Sequence, residues 1–253
     1  ASLLGGVAQM LLLMRCMAKR GYAFRFALPD FSDPRFRLVW KNTFIGAVGA
    51  GAIQINYMLD QVLAQCAAPW AAGVIGYAER LMDLPLGVVG VAFGPVLLPT
   101  FSGYFAREDH AGARRTLGVS VLQMLAVMVP ASVVTFFCAP WIVELIYEGH
   151  AFDATATVRV ARALSVYGLG LSFFAIQKCM IPFFQAQKDM KTPLNVTLAT
   201  IVLNAALNIA AVVCLPQEWR HVGLAASTSF CSFAGCLLFA LAFIRQIRYN
   251  TRH

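Results

Sequence analysis

Three ionisable residues fall within five positions of an otherwise apolar run, Tyr77-Ala78-Glu79-Arg80-Leu81-Met82-Asp83-Leu84-Pro85. Placing one such side chain at the centre of a membrane helix costs roughly 2.5–3.5 kcal/mol on insertion scales. The segment therefore needs partners, and it must face a bundle interior or a hydrated cavity. Glu79 and Asp83 stand four apart on one helix face, and Arg80 can reach Asp83 at a spacing of three. Two chemistries fit. In one, the three charges neutralise each other and hold neighbouring helices together. In the other, Arg80, permanently charged and fork-shaped, binds an anionic group such as a phosphate, with Glu79 and Asp83 tuning or orienting it.

A second set of polar residues lies in Gln54-Ile55-Asn56-Tyr57-Met58-Leu59-Asp60, where Asn56 and Asp60 share a face. Asn204 and Asn208 repeat that spacing further on. A carboxylate surrounded by amide oxygens suits a hard cation, so Asp60, Asn204 and Asn208 form a candidate cation site. Hydrogen bonding between helices accounts for the same amides. Lys178, also within an apolar run, has a stem long enough to snorkel and reads as an anchor. Gly90 and Gly94 form a GxxxG, a close-packing element.

Other chemistries lack their residues. The seven Cys (16, 66, 138, 179, 214, 231 and 236) contain no CxxC pair, and most lie in apolar runs as small hydrophobes. The four His (110, 150, 221 and 253) fall outside those runs. There is no Walker A motif, no GxSxG and no metal-ligand spacing. The chain reads as a non-enzyme without a cofactor, and any work it does draws on an ion or the membrane potential, with Na+ or H+ as the coupling ion.

The elements that position these residues follow from composition. Of 253 residues, 59% are apolar and only 13% charged, whereas soluble domains average roughly 25% charged. A water-soluble globule could not hide that much apolar surface. A spanning helix needs about 20 apolar residues. The expected spans are Ala1–Met17 (truncated), Thr43–Ala68, Ala72–Phe101, Leu117–Ile146, Val158–Phe184, Leu194–Leu215 and Val222–Ile244. Membrane strands are excluded, because the runs are continuous and far longer than ~10 alternating residues. The fold class is all-α: a polytopic membrane helix bundle of six full spans and one truncated span, read as a single membrane domain over residues 1–253. The chain opens inside a hydrophobic stretch without Met or a basic leader, so it is expected to be part of a longer protein.

Net charge is +8, with 20 Lys and Arg against 12 Asp and Glu. The basic residues cluster between the apolar runs, a pattern of membrane topology that speaks against nucleic acid. Fifteen of the 20 lie in the first, third and fifth connections and the C-terminal tail, which are therefore expected on the cytoplasmic side. The opposite side has Arg159, Arg162 and Arg220 with Glu144, Glu148, Asp153 and Glu218. Pro34-Arg35-Phe36-Arg37-Leu38-Val39-Trp40-Lys41 reads either as a helix along an anionic leaflet or as a solvated loop.

The stretch Glu79-Arg80-Leu81-Met82-Asp83-Leu84-Pro85-Leu86-Gly87-Val88-Val89-Gly90-Val91-Ala92, followed by Leu97-Leu98-Pro99-Thr100, resembles the signature of the MurJ/MviN family of lipid II flippases. Gln54-Ile55-Asn56 with Asp60, and Ile181-Pro182-Phe183-Phe184 before Asp189-Met190-Lys191-Thr192-Pro193, agree in order and spacing along nearly the whole chain. The resemblance implies a fourteen-helix transporter of the MOP exporter superfamily, of which this chain holds about helices six to twelve. It implies a multi-pass protein of the bacterial inner membrane. This would move the undecaprenyl-pyrophosphate-linked peptidoglycan precursor to the outer leaflet by alternating access, for cell-wall synthesis. Arg80 matches the family's C-terminal-lobe arginine, which places Glu79, Arg80 and Asp83 at the head group. A sodium site occurs in the C-terminal lobe of some members, with Asp60 as a participant. The partners implied are that precursor and membrane lipids. Rival readings are a MATE-like drug or polysaccharide-lipid exporter and a non-transporting cell-wall scaffold.

Overall fold

The computed structural model describes residues 2–21, 33–147 and 153–250. Arg25, Glu148, His150, Arg252 and His253 lie outside the described residues. Seven helices follow one another: α1 (Ser2–Lys19), α2 (Pro34–Ala67), α3 (Ala71–Ala106), α4 (His110–Tyr147), α5 (Ala154–Ala186), α6 (Lys191–Cys214) and α7 (Gln217–Asn250). They coincide one for one with the seven expected runs, and no strand occurs among the described residues.

Most helices outrun the apolar stretches that announce them. At 1.5 Å per residue, the 38 residues of α4 reach about 57 Å, well beyond a ~30 Å hydrocarbon core. His110, Arg114 and Arg115 simply continue the helix into water, since nothing in them breaks it. Five helices are long and apolar enough to cross a membrane: α3, α4, α5, α6 and Gln217–Ile247 of α7. At 34 residues α2 has the length, but Gln54, Asn56 and Asp60 lower its hydropathy. The basic and aromatic stretch before it is helical and continuous with α2, which rules out the loop reading.

The chain divides into two compact units, Ala1–Thr43 and Phe44–His253. In the first, α1 closes on Lys19, and Gly21 follows at φ +83° with its N–H donating to the Ala18 carbonyl at 3.1 Å. That left-handed position suits glycine. Phe36 and Trp40, one turn apart, stack at 6.3 Å.

In the second unit α5 is the central helix, packed against α3, α4 and α7, while α6 pairs with α7. Lipid offers no hydrophobic gain on pairing, so such helices associate through small residues and hydrogen bonds. A Cβ on Gly168 would lie 3.1 Å from the Phe136 nitrogen of α4, and one on Gly170 2.9 Å from the Ser229 Cα of α7. Two residues of α5 thus bring two neighbours to backbone contact. Ser229 donates to the Val166 carbonyl at 2.9 Å, Ser232 to Gly170 at 3.2 Å, and Gln177 to Ser232 at 2.8 Å. Gly90 and Gly94 do not have this role: Gly94 faces open space and Gly90 meets only the Lys178 Nζ at 4.0 Å. Proximity of glycines along a helix does not reveal which face meets a partner.

Two turns share one device. Glu108 (φ 60°) and Lys188 (φ 63°) are left-handed, and each precedes an aspartate that caps the next helix. Asp109 accepts the Gly112 N–H at 2.7 Å, while Asp189 accepts those of Lys191 and Thr192 at 3.1 and 3.0 Å. A Cβ on Gly112 would strike Asp109 and come within 2.7 Å of Tyr104. Both turns lie at the same end of the unit, joined by Phe105–Phe183 and Phe183–Phe243 ring contacts at 5.5 Å. The opposite end is tied by Arg159 over Trp70 (3.9 Å), Arg162 over Trp219 (5.1 Å) and Arg220 donating to the carbonyls of Leu215 and Ala67 at 3.1 and 3.3 Å. His221, expected outside the spans, is buried there within α7, edge-on to Trp70 at 5.1 Å. The α2–α3 connection folds over it.

Candidate functional site

The α3 turn that carries Glu79, Arg80 and Asp83 is fixed by its other face. Ala78, Leu81 and Met82 are buried in the core, which leaves Glu79 at the boundary and turns Arg80 and Asp83 outward. Glu79 accepts a hydrogen bond from the Tyr167 hydroxyl of α5 at 3.3 Å. The Arg80 guanidinium lies 5.8 Å from the centre of the Tyr77 ring. Arg80 makes no ion pair with Asp83 or Glu79 among the described residues, so the self-neutralising cluster does not form. Gly73, Gly76 and Gly87, on the same side of α3 as Arg80, face open space, leaving room for a ligand to approach the helix backbone.

Lys178, read from the sequence as an anchor, belongs to the same surroundings. It is exposed on α5, its Nζ approaches α3 at Gly90, and it interacts electrostatically with Asp83. Its apolar neighbours in sequence hid this role. Two cations, Arg80 and Lys178, thus flank Asp83 along one open surface.

The second set of residues converges. Asp60 accepts the Asn208 side-chain amide on Oδ1 at 2.7 Å and that of Asn56 on Oδ2 at 3.1 Å. Asn208 also donates to Asn204 at 3.1 Å, and Asn204 donates to the Thr228 hydroxyl at 3.4 Å. Both hydrogens of the Asn208 amide are therefore engaged. Its Oδ1 and that of Asn56 are buried acceptors with no donor, a state that costs about 1–3 kcal/mol per group. A cavity of about 110 Å³, bounded in part by Asn56, Asn204 and Thr228, adjoins them. Gln54 is exposed and stands apart from this cluster.

A cation fits this donor set. The carboxylate supplies charge, and the two unpaired amide oxygens lack only an electropositive partner. Sequence reasoning brought Asp60, Asn204 and Asn208 together correctly. It missed Tyr167 and Thr228, which read as ordinary members of a buried helix. The only available signal was that a tyrosine hydroxyl at a core position needs a partner.

The sequence model of the family described as "Lipid II flippase MurJ" matches residues 1–252. The chain is 27% identical over 231 residues to the probable lipid II flippase MurJ of Rickettsia prowazekii, covering 91% of this chain and 44% of that protein. It is 31% identical to the probable flippase of Rhizobium tropici (82% of this chain, 38% of that one). Against the lipid II flippase MurJ of Burkholderia cenocepacia it is 31% identical as well (82% and 39%). The fold matches a solved lipid II flippase MurJ in an inward closed conformation, with a TM-score of 0.72 at 23% identity, over 95% of this chain and 49% of that one. The chain spans less than half the length of these relatives.

Proposed function

Because the chain belongs to the lipid II flippase MurJ family, we propose that it supplies the head-group and coupling half of a transporter that moves lipid-linked peptidoglycan precursor across the bacterial inner membrane. The work is transport by alternating access, and no bond of the cargo is made or broken. Its partners are the undecaprenyl-pyrophosphate-linked precursor and the membrane lipids around it.

One observation carries the reading. The Arg80 guanidinium is exposed on an apolar helix with no carboxylate in ion-pair range, beside Lys178 and a row of glycines. An unpaired arginine at membrane depth is costly, and a pyrophosphate is the partner that its bidentate fork suits. Glu79, held by Tyr167, and Asp83, near Lys178, flank Arg80 along the turn and orient it.

Na+ is the coupling ion favoured here, held by Asp60 with Asn56, Asn204, Asn208 and Thr228. A bound cation would neutralise Asp60 and satisfy the orphaned amide oxygens together. A proton on Asp60 supplies a single donor for two unpaired acceptors, which favours the metal cation over H+.

The test uses bacteria depleted of their own flippase and expressing a full-length flippase carrying these residues. Lipid II exposed at the outer leaflet is measured at equal membrane levels of protein. Hydrogen bonds to charged groups contribute about 1.5–3 kcal/mol, so Arg80→Ala should lower the transport rate by tenfold or more. Arg80→Lys, with the charge but not the fork, should fall between the two. Wild-type exposure in Arg80→Ala would reduce Arg80 to a structural charge. No exposure from a folded, inserted wild type would shift the reading to a drug or polysaccharide-lipid exporter.

A further inference from the structure

The transport reading does not explain why a hydroxyl is sealed at the centre of the second unit. Tyr167 is 1% exposed and is among the largest fully buried side chains. Phenylalanine would fill the same space without a polar atom to satisfy. The hydroxyl donates to Glu79 Oε1 at 3.3 Å, one residue from Arg80. On its other side it interacts with the hydroxyl of Thr228, which accepts from Asn204. Asn204 in turn accepts from Asn208, which holds Asp60. A line of side chains thus runs from α3 through α5, α7 and α6 to α2.

We propose that Tyr167 is a positioning residue whose hydroxyl couples the Asp60–Asn208 cluster to the Arg80 turn of α3, so that the state of the cluster sets how Arg80 is presented. The inference rests on the flippase and cation readings above.

The donor inventory makes such a line responsive. Asn208 has committed both amide hydrogens, and Asn204 donates to Thr228 while accepting from Asn208. Thr228 has one hydrogen, which points to the Leu224 carbonyl at 3.2 Å or to Tyr167. No group holds a spare donor. An amide that rotates to offer its oxygen elsewhere forces the next group to reassign its own bond. The last reassignment falls on Glu79, and Arg80 is the next residue of the same rigid turn.

The experiment uses a purified full-length flippase carrying these residues, in NaCl and in KCl of equal concentration so that screening is constant. Two quantities are read: the affinity for undecaprenyl pyrophosphate, and the sodium-induced shift in thermal unfolding. In wild type, affinity should differ between the salts by about fivefold or more, the usual size of coupling between sites. In Tyr167→Phe that ratio should fall to about one while the sodium-induced shift remains, because the hydroxyl is not a cation ligand. Glu79→Ala breaks the line at its other end and should collapse the ratio too, which keeps the test alive if Tyr167→Phe does not fold.

A ratio retained in Tyr167→Phe overturns the relay alone. Loss of the sodium-induced shift in that variant also overturns it, since the hydroxyl would then belong to the cation pocket itself. If wild type shows neither effect, the cation reading falls and takes the relay with it; Asp60→Asn is then indistinguishable from wild type, which separates the two failures.

Discussion

Arg80 and Asp60 make opposite demands on an apolar environment. The arginine stays exposed and unpaired, waiting for an anion, whereas the aspartate is enclosed by donors. Asn208 holds the shorter of its two hydrogen bonds, 2.7 Å against 3.1 Å for Asn56. Asn208→Leu should therefore destabilise the protein by about 1–3 kcal/mol, the cost of a buried acceptor losing its partner. It should also erase stabilisation by sodium, and thermal unfolding in both salts reads the two effects at once. The pairing of Asn56 with Asp60 and of Asn204 with Asn208 was legible as a spacing of four. That the two pairs meet across α2 and α6 was not, because spacing along one helix says nothing about its rotation toward another. Tyr167 escaped for a related reason: its hydroxyl matters only through Glu79, 88 positions away.

Among the helices, α5 holds the others in place. Gly170 lies against the backbone of Ser229, so Gly170→Val should lower stability by about 1–3 kcal/mol, as overpacking does. Gly87→Val, which faces open space, should leave unfolding in detergent unchanged while interfering with any ligand that approaches α3. Thermal unfolding beside undecaprenyl pyrophosphate binding separates these outcomes. At the start of α5, outside the membrane, the Thr155 hydroxyl bonds the Asp153 carboxylate at 2.6 Å. With lesser help from neighbouring N–H groups and Arg159, it holds that carboxyl below the usual aspartate range. Its contribution is complete above the ordinary aspartate value of ~3.9 and is lost as pH falls through the lowered folded value. Amide exchange in the first turn of α5 should accelerate only in that acid range, and Asp153→Ala should remove the pH step. Helix existence was readable throughout from apolar runs. The helix ends were not, since Asp109 and Asp189 terminate helices well outside the bilayer and carry no hydropathy signal.

At the scale of the whole chain, the two ends of the second unit match the charge asymmetry. The capped turns at Glu108 and Lys188 lie together, and the α2–α3 and α6–α7 connections meet through Arg220. In a background without native cysteines, Glu108→Cys and Lys188→Cys should react with an impermeant maleimide only after the cytoplasmic side is opened. Gln217→Cys should react in intact spheroplasts, and the reverse pattern would invert the topology. Parity of this kind was legible from Lys and Arg counts because each span reverses the side, whereas the arrangement of spans around α5 depends on where glycines meet backbones. That arrangement has a mechanical consequence. Gly168 and Gly170 lock α4 and α7 to α5 at nearly one depth, and a slide of one residue, about 1.5 Å, would bring a Cβ where only hydrogen fits. The joint acts as a keyed shaft: α4, α5 and α7 cannot shear past one another. When the Arg80 surface is exposed to first one side of the membrane and then the other, these three helices must tilt as one block.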